Sequence, residues 1–208
     1  MDAITDHWVT SVDELATMYK RPTERVLNKE RDYVDVLGRA FIAASPFVIL
    51  ASGGPQGFDC SPKGDKPGFV QVEDDGRTLL IPDRPGNNRL DGLKNMIENP
   101  WIALIFLVPG ANETYRVNGR ARISRNPNLK RRFAVDGKEP RTVIVVAVEQ
   151  AFPHCPKALI RSNLWQAGAG DRPQGVPTHG NFAAARTPGM DPDAYNAEYA
   201  KRLVTELY

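Results

Sequence analysis

Two arginines flank the start of a predicted helix in the segment IPDRPGNNRLDGLKN, residues 81–95. Arg84 and Arg89 would lie near the helix N-terminus, where the partial positive charge of the backbone disfavours cations. A bound anion would reverse that penalty, because free backbone N–H groups and two guanidinium groups together make a phosphate cradle. A solvated turn with two surface arginines is the alternative, and this segment alone leaves both interpretations open.

Two further segments place basic residues where they could meet an anion. In FDCSPKGDKPGF, residues 58–69, Ser61 and Lys63 lie in a Gly- and Pro-rich connection, and Lys63 either faces a phosphate or is solvated. In HCPKALIRSNLW, residues 154–165, Lys157 and Arg161 share one helix face with the tryptophan that follows four residues later. Such a face can hold an anion and cover a ring, or it can pack as an ordinary amphipathic helix.

The sequence argues against several other kinds of functional site. The chain has no GxSxG, HExxH, P-loop, GxGxxG or paired-carboxylate motif, which argues against common hydrolases and Rossmann dehydrogenases. Its two cysteines lie far apart without other ligands at metal-binding spacing, which argues against structural zinc, so no metal is expected. The basic strand residues Arg116, Arg120 and Arg122 lack the aromatic platforms that stack RNA bases.

Composition indicates a soluble globular protein. The 208 residues are 41% hydrophobic and 25% charged, and this length is enough for one sizeable domain. The net charge of +2 does not indicate a polyanionic partner. Apolar runs are too short to cross a bilayer, and the N-terminal residues lack the apolar region of a secretory signal. We therefore expect a cytoplasmic protein that binds neither membrane nor nucleic acid.

Helices are predicted first along the chain. Ser11 and Glu14 have capping-box spacing, and a second stretch opens at Pro22 and continues as an amphipathic helix that ends near Ser45. This segment, residues 1–45, is expected to pack on the following domain.

From Pro46 to residue 165 the pattern is mainly β. Six short β-rich runs are separated by Gly, Pro, Asn and Asp: FVILAS, GFVQVED, RTLLIPD, WIALIFLVP, ETYRVNGRARIS and RTVIVVAVEQ. ETYRVNGRARIS alternates apolar and polar residues, whereas WIALIFLVP does not and is predicted to be buried on both faces. A crossover helix is predicted at residues 88–99, between the third and fourth runs, and another helix at 154–165.

The last segment, residues 166–208, is predicted to be a flexible linker followed by a helix. Residues 166–190 are rich in Gly, Pro and Ala and show no periodicity. Asp191 as N-cap and Pro192 at the first helical position then begin a helix that carries Tyr195, Tyr199 and Leu203 on one face.

Taken together, residues 30–165 resemble the pyridoxamine 5′-phosphate oxidase-like flavoproteins, most specifically in the blocks NNRLDGLKNMIENP and ETYRVNGRARI. The resemblance implies a six-stranded FMN-binding split β-barrel, mainly β with flanking helices. It also implies a homodimer with FMN across the subunit interface and its phosphate at the start of the crossover helix.

The resemblance assigns ten cofactor-binding residues in this chain. Asn88 and Arg89, assisted by Asn87, correspond to the phosphate-binding positions. The other seven are expected along or near the flavin ring, the last two from the partner subunit: Ile81, Pro82, Ser61, Lys63, Thr114, Lys157 and Arg161.

The implied chemistry is flavin-dependent electron transfer, in which the protein sets position, polarity and access. The C-terminal Arg and His substrate motif of the true pyridoxamine 5′-phosphate oxidases is not found, which argues against vitamin B6 oxidation. We predict an FMN-dependent oxidoreductase acting on a small molecule. The alternatives are a non-catalytic flavin- or haem-binding protein and a deazaflavin-dependent reductase on the same fold.

Overall fold

The computed structural model describes residues 7–166 and 172–205, apart from the side chains of residues 25, 204 and 205. The chain forms two compact units, Met1–Glu30 and Arg31–Tyr208. Within the described residues, no helix is both long and apolar enough to cross a membrane.

From residue 7 onward, the first unit contains two short helices, α1 at Val12–Met18 and α2 at Glu24–Leu27. The predicted N-cap is present, because the Ser11 hydroxyl accepts the N–H of Glu14 at 3.1 Å. The Glu14 carboxylate accepts the N–H of Thr10 rather than that of Ser11, so the reciprocal half of the predicted capping box is displaced by one residue.

The second unit begins with an extended segment and helix α3, Val36–Ala44. Asp35 caps this helix through a 2.8 Å hydrogen bond from the Gly38 N–H. The stretch predicted to run from Pro22 to Ser45 is therefore two separate helices. Arg31 lies between them and pairs with Ala151 as an isolated β-bridge, which extended backbone allows and a helix does not.

Seven antiparallel strands form one sheet in the described part of the chain: β1 Phe47–Gly54, β2 Gly57–Gly64, β3 Gln71–Val72, β4 Thr78–Asp83, β5 Trp101–Leu107, β6 Thr114–Ser124 and β7 Thr142–His154. Their order is β2-β1-β5-β6-β7-β4-β3, and no pairing among the described residues joins β2 to β3. The prediction of a mainly β fold with flanking helices is confirmed. The strand count was one too low, because β2 has the Gly- and Pro-rich composition of a loop.

Two predictions about strand patterns have different outcomes. The alternation in β6 is confirmed, since Tyr115, Val117 and Ala121 are buried while Arg120 and Arg122 are exposed. The prediction that β5 is buried on both faces is wrong.

In β5, Ile102, Leu104 and Phe106 are buried, whereas the intervening Ala103 and Ile105 are only half-buried. The side of β5 away from the core consists of apolar residues, so the sequence shows no alternation although the structure does.

This side of β5 continues across β1 and β2 as an apolar surface. The strand register places Ile49 opposite Ile105, and the Phe58 ring lies over Gly53 on the same side of the sheet. The outer sheet face, as we call this surface, comprises Phe47, Ile49, Phe58, Trp101 and Ile105.

The remaining helices of the second unit are α4 Asp91–Glu98, α5 Pro127–Arg132, α6 Lys157–Ser162, α7 His179–Ala184 and α8 Pro192–Thr205. Helix α4 begins three residues later than predicted, because Asn88 and Leu90 have left-handed backbone, with φ of 58° and 62°. Helix α6 is shorter than predicted, because β7 continues through His154 and Asn163 ends the helix with φ of 52°.

Helix α7 lies inside the stretch predicted to be a linker, of which residues 167–171 fall outside the described residues. Thr178 and Asn181 form a capping box at its start. The Asn196 side chain of α8 donates to the Thr178 hydroxyl and accepts the Gly180 N–H, each at 2.8 Å. The two helices therefore pack on each other through specific polar contacts that composition and periodicity do not indicate.

Candidate functional site

A cavity of about 1020 Å³ lies where β2, the loop after β4 and the start of α4 meet. Its volume is at the upper end of the range of about 300–1,000 Å³ that is common for ligand pockets. Six of the ten predicted cofactor-binding residues line it: Ser61, Lys63, Pro82, Asn87, Asn88 and Arg89.

Strand β2 forms one wall of this cavity. Its alternate residues Asp59, Ser61 and Lys63 are half-buried, while the residues between them are exposed. The Ser61 hydroxyl donates to the Asp59 carboxylate at 2.6 Å, and the Lys63 ammonium lies 3.4 Å from the Asp83 carboxylate. The strand period thus places three polar side chains on the cavity side.

The loop after β4 is fixed by Arg84. Its Nε lies 2.7 Å from the Asp65 carboxylate, and its Nη1 donates to the Phe133 carbonyl at 2.8 Å. The sequence suggested that this guanidinium is part of an anion cradle. The structure instead commits it to a largely buried ion pair that holds the loop in place.

The loop then turns into α4 through left-handed residues. The Asn87 side chain accepts the Arg89 N–H at 3.1 Å, and Asn88 adopts the left-handed conformation that asparagine tolerates. Leu90 adopts it too, at a cost of roughly 1–2 kcal/mol for a residue with a Cβ. Such strain at a cavity wall is typical of a binding site.

The start of α4 lacks a side-chain cap. Leu90 occupies the N-cap position and has no side-chain oxygen for the first-turn N–H groups. Asp91, Gly92 and Leu93 line the cavity. Gly92 also sits close to β2, because a Cβ there would lie 3.1 Å from the Asp59 carboxylate. An uncapped eight-residue helix therefore begins at the cavity wall, which favours an anion there.

Many of the residues that line this cavity are charged. Eight line it: Asp59, Lys63, Asp65, Asp83, Arg84, Arg89, Asp91 and Arg141. Six of them form three ion pairs, Lys63–Asp83, Arg84–Asp65 and Arg89–Asp91, with the last pair at 2.8 Å. In the part of the chain that the structure describes, Asp59 and Arg141 have no ion-pair partner.

Arg141 is a cavity residue that sequence reasoning missed. It immediately precedes β7, and the pairing of Asp83 with Thr142 brings it beside the end of β4. The two segments are distant in sequence, so only the antiparallel pairing of β4 with β7 reveals this neighbourhood.

The other four predicted residues do not line the cavity. Ile81 is fully buried in the core. Thr114 is buried at the start of β6, and its hydroxyl has no hydrogen-bond partner among the described residues. Lys157 and Arg161 lie on α6, which is followed by Trp165, whose indole N–H donates to the Ala111 carbonyl. Their assignment to the site of a partner subunit stays a prediction.

Comparison with known proteins gives a family match and a set of similar folds. The family model of pyridoxamine 5′-phosphate oxidase matches residues 38–155, more than half of the chain. No curated protein matches the chain.

Several solved structures are similar at low sequence identity. HupZ from Group A Streptococcus is 21% identical over 55% of this chain and 89% of its own, with a TM-score of 0.45. A putative pyridoxamine 5′-phosphate oxidase from Lactobacillus delbrueckii is 16% identical over 59% of this chain and 95% of its own, with a TM-score of 0.46. An F420 reductase is 16% identical over 56% of this chain and 94% of its own, with a TM-score of 0.40.

Proposed function

The chain belongs to the pyridoxamine 5′-phosphate oxidase family, and we propose that its cavity binds FMN and that the protein is an FMN-dependent oxidoreductase. The family membership agrees with the split-barrel fold that the sequence predicted. The observation that carries the proposal is the uncapped N-terminus of α4, which opens into the cavity behind a strained Leu90.

The phosphate of FMN fits the start of α4. Free N–H groups of a first helical turn bind phosphate, and the helix dipole favours its charge. Asn87 and Asn88 shape the turn that exposes these groups. Arg89 follows the turn, and its long side chain is 76% exposed. These three residues are the proposed phosphate ligands.

The flavin ring fits between β2 and the end of β4. Ser61 and Lys63 face this space from β2, and Pro82 lines it from β4 next to the buried Ile81 in the sequence. Asp83 holds the Lys63 ammonium in position at 3.4 Å. FMN when bound supplies the two-electron chemistry at its ring. Lys63 and Ser61 would orient its polar edge and exclude water from one side.

A homodimer would complete the site. The outer sheet face exposes large apolar side chains, with Phe58 95% and Trp101 50% exposed, and apolar surface of this kind is characteristic of protein interfaces. Lys157 and Arg161, which do not line the cavity of their own chain, would reach the partner's FMN. Thr114, whose buried hydroxyl has no partner among the described residues, pairs with His154 at the end of β7, just before α6.

The first test is the visible spectrum of the purified protein, followed by titration of any flavin-free protein with FMN. We expect a flavin spectrum and saturable FMN binding. A colourless protein that fails to take up FMN but binds a deazaflavin or haem would contradict the proposal. Reduction of the FMN-bound protein by reduced nicotinamide or dithionite, followed by a screen of acceptors, then separates an oxidoreductase from a flavin carrier.

A further inference from the structure

The basic residues of the cavity differ in how much of their charge is available to a ligand. Lys63, Arg84 and Arg89 each have a carboxylate within 2.7–3.4 Å. At a distance, an ion pair acts as a neutral dipole, so each carboxylate offsets most of the attraction that its partner exerts on an anion. Three of the four cations are therefore largely neutralised before any ligand enters.

Arg141 differs from these three residues. In the described part of the chain it has no carboxylate partner, although it lines the same cavity. The buried Pro140 precedes it and Thr142 begins β7, so its backbone is held from both sides.

Two contacts tie the segment of Arg141 to the loop before α4. Asp83, the last residue of β4, pairs with Thr142. Arg84, the first residue of the loop, donates to the Phe133 carbonyl at the end of α5, on the connection that leads to Arg141. These contacts hold the loop and the segment of Arg141 in a fixed position relative to each other on one side of the cavity.

From this arrangement we infer that Arg141 is a second cationic anchor for the anion bound at the start of α4, the phosphate of FMN. The inference rests on the proposed function. A phosphate monoester carries close to two negative charges near neutral pH. Arg89 brings Asp91 with it, whereas Arg141 has no ion-pair partner among the described residues, although the unpaired Asp59 carboxylate lines the same cavity. The Arg141 guanidinium can donate two parallel hydrogen bonds to phosphate oxygens.

The alternative is that Arg141 is an exposed, solvated arginine at the cavity rim. The two interpretations differ in what they predict for ligands that differ only in the phosphate. An anchor of the phosphate affects FMN and leaves riboflavin unchanged, whereas a solvated arginine affects neither.

The test is titration of FMN and riboflavin by quenching of flavin fluorescence, using Arg141→Gln, Arg141→Lys and a matched control, Arg125→Gln. Arg125 is also exposed, lies outside the cavity and has no ion-pair partner among the described residues, so its loss changes the net charge equally. Arg141→Gln should weaken FMN binding roughly tenfold. Arg141→Lys should restore part of the loss, and Arg125→Gln should change binding by less than about twofold.

Riboflavin should bind the wild type and Arg141→Gln equally, and thermal melting without ligand should be alike for all four proteins. Unchanged FMN affinity in Arg141→Gln, an equal loss in Arg125→Gln, or an equal loss for riboflavin would each overturn the inference. A wild-type protein that binds no FMN would refute the proposed function itself. Wild-type FMN binding combined with an unaffected Arg141→Gln refutes only the role of Arg141.

Discussion

The Arg84 guanidinium lies 2.7 Å from the Asp65 carboxylate in an ion pair whose side chains are only 15% and 3% exposed. The pair fastens the loop before α4 to the loop after β2. Replacing Arg84 by Met would remove the guanidinium from this buried ion pair, and breaking a buried pair by removing one member typically costs about 3–5 kcal/mol. Urea denaturation of Arg84→Met should therefore show a loss of about 3 kcal/mol in the free energy of unfolding.

Glu149→Gln is the matched control for this prediction. It breaks the pair of Glu149 with Arg120, which has a comparable 3.1 Å distance but side chains that are 40% and 56% exposed. Exposed pairs contribute about 0–1 kcal/mol, so the control should be close to wild type. Equal losses in the two variants would show that burial does not make the Arg84 pair important.

Local features of the site were predictable from sequence. Asn88 and Arg89 do lie at the start of a helix, because the turn residues and Pro100 at the far end are local indications of where a helix begins and ends. Ser61 and Lys63 do line the same cavity, although from a strand rather than from the predicted loop.

Long-range partners were not predictable from sequence. The sequence around Arg84 does not indicate that Asp65 and Phe133 hold it, and the sequence around Arg141 does not indicate that it lines the cavity. These neighbourhoods depend on which strands pair. Strand pairing is decided by the packing of the whole sheet rather than by any one segment.

The outer sheet face should make the protein a dimer that depends on Phe58. A charge at this position would be desolvated in an interface that buries it, so Phe58→Asp should dissociate the dimer. Light scattering should give twice the 23.0 kDa chain mass for wild type and the single chain mass for Phe58→Asp. Leu37→Asp replaces a residue that is also strongly exposed but lies on α3, and it should remain a dimer. A wild-type monomer that binds FMN would exclude a site completed by two chains.

Tyr115 should make the folded state sensitive to alkaline pH. Burial raises the pKa of Tyr115 to about 12, and the nearby Asp35 carboxylate adds to the effect. Between pH 10 and 12 the unfolded chain loses this proton while the folded chain keeps it, so stability falls as the pH rises.

The expected loss across this interval is on the order of 2 kcal/mol. The measurement is the free energy of unfolding of wild type minus that of Tyr115→Phe, and this value should fall from pH 10 to pH 12. Phenylalanine keeps the ring that packs under Gly38, where a larger residue would clash. A difference that stays constant with pH would show that Tyr115 titrates alike in both states.

Arg89→Ala should weaken FMN binding because it removes a cation at the proposed phosphate site. The expected loss is roughly tenfold, at the lower end for charge-assisted hydrogen bonds because the side chain is 76% exposed. Riboflavin lacks the phosphate and should bind wild type and variant equally in fluorescence titrations. The stability of the ligand-free protein should not fall, since a cation is disfavoured at a helix N-terminus. An equal loss for both flavins would place Arg89 at the ring instead.

Asp91 should oppose the same phosphate. Its carboxylate lies 2.8 Å from the Arg89 Nε and lines the cavity, so it both offsets the charge of Arg89 and repels an anion. Asp91→Asn should therefore raise FMN affinity, by roughly threefold to tenfold for a pair that solvent partly screens. The ligand-free protein should become slightly less stable, because an acidic residue in the first turn of a helix stabilises it by about 0.3–1 kcal/mol.

Stability and affinity are thus expected to move in opposite directions in Asp91→Asn, which a variant that merely damages the fold does not produce. Glu98→Gln is the matched control, since it removes the same charge from the other end of α4 and outside the cavity. It should leave FMN affinity within about twofold of wild type. Weaker FMN binding by Asp91→Asn would mean that Asp91 holds Arg89 in its binding position, and the interpretation of the pair as an obstacle to the phosphate would be wrong.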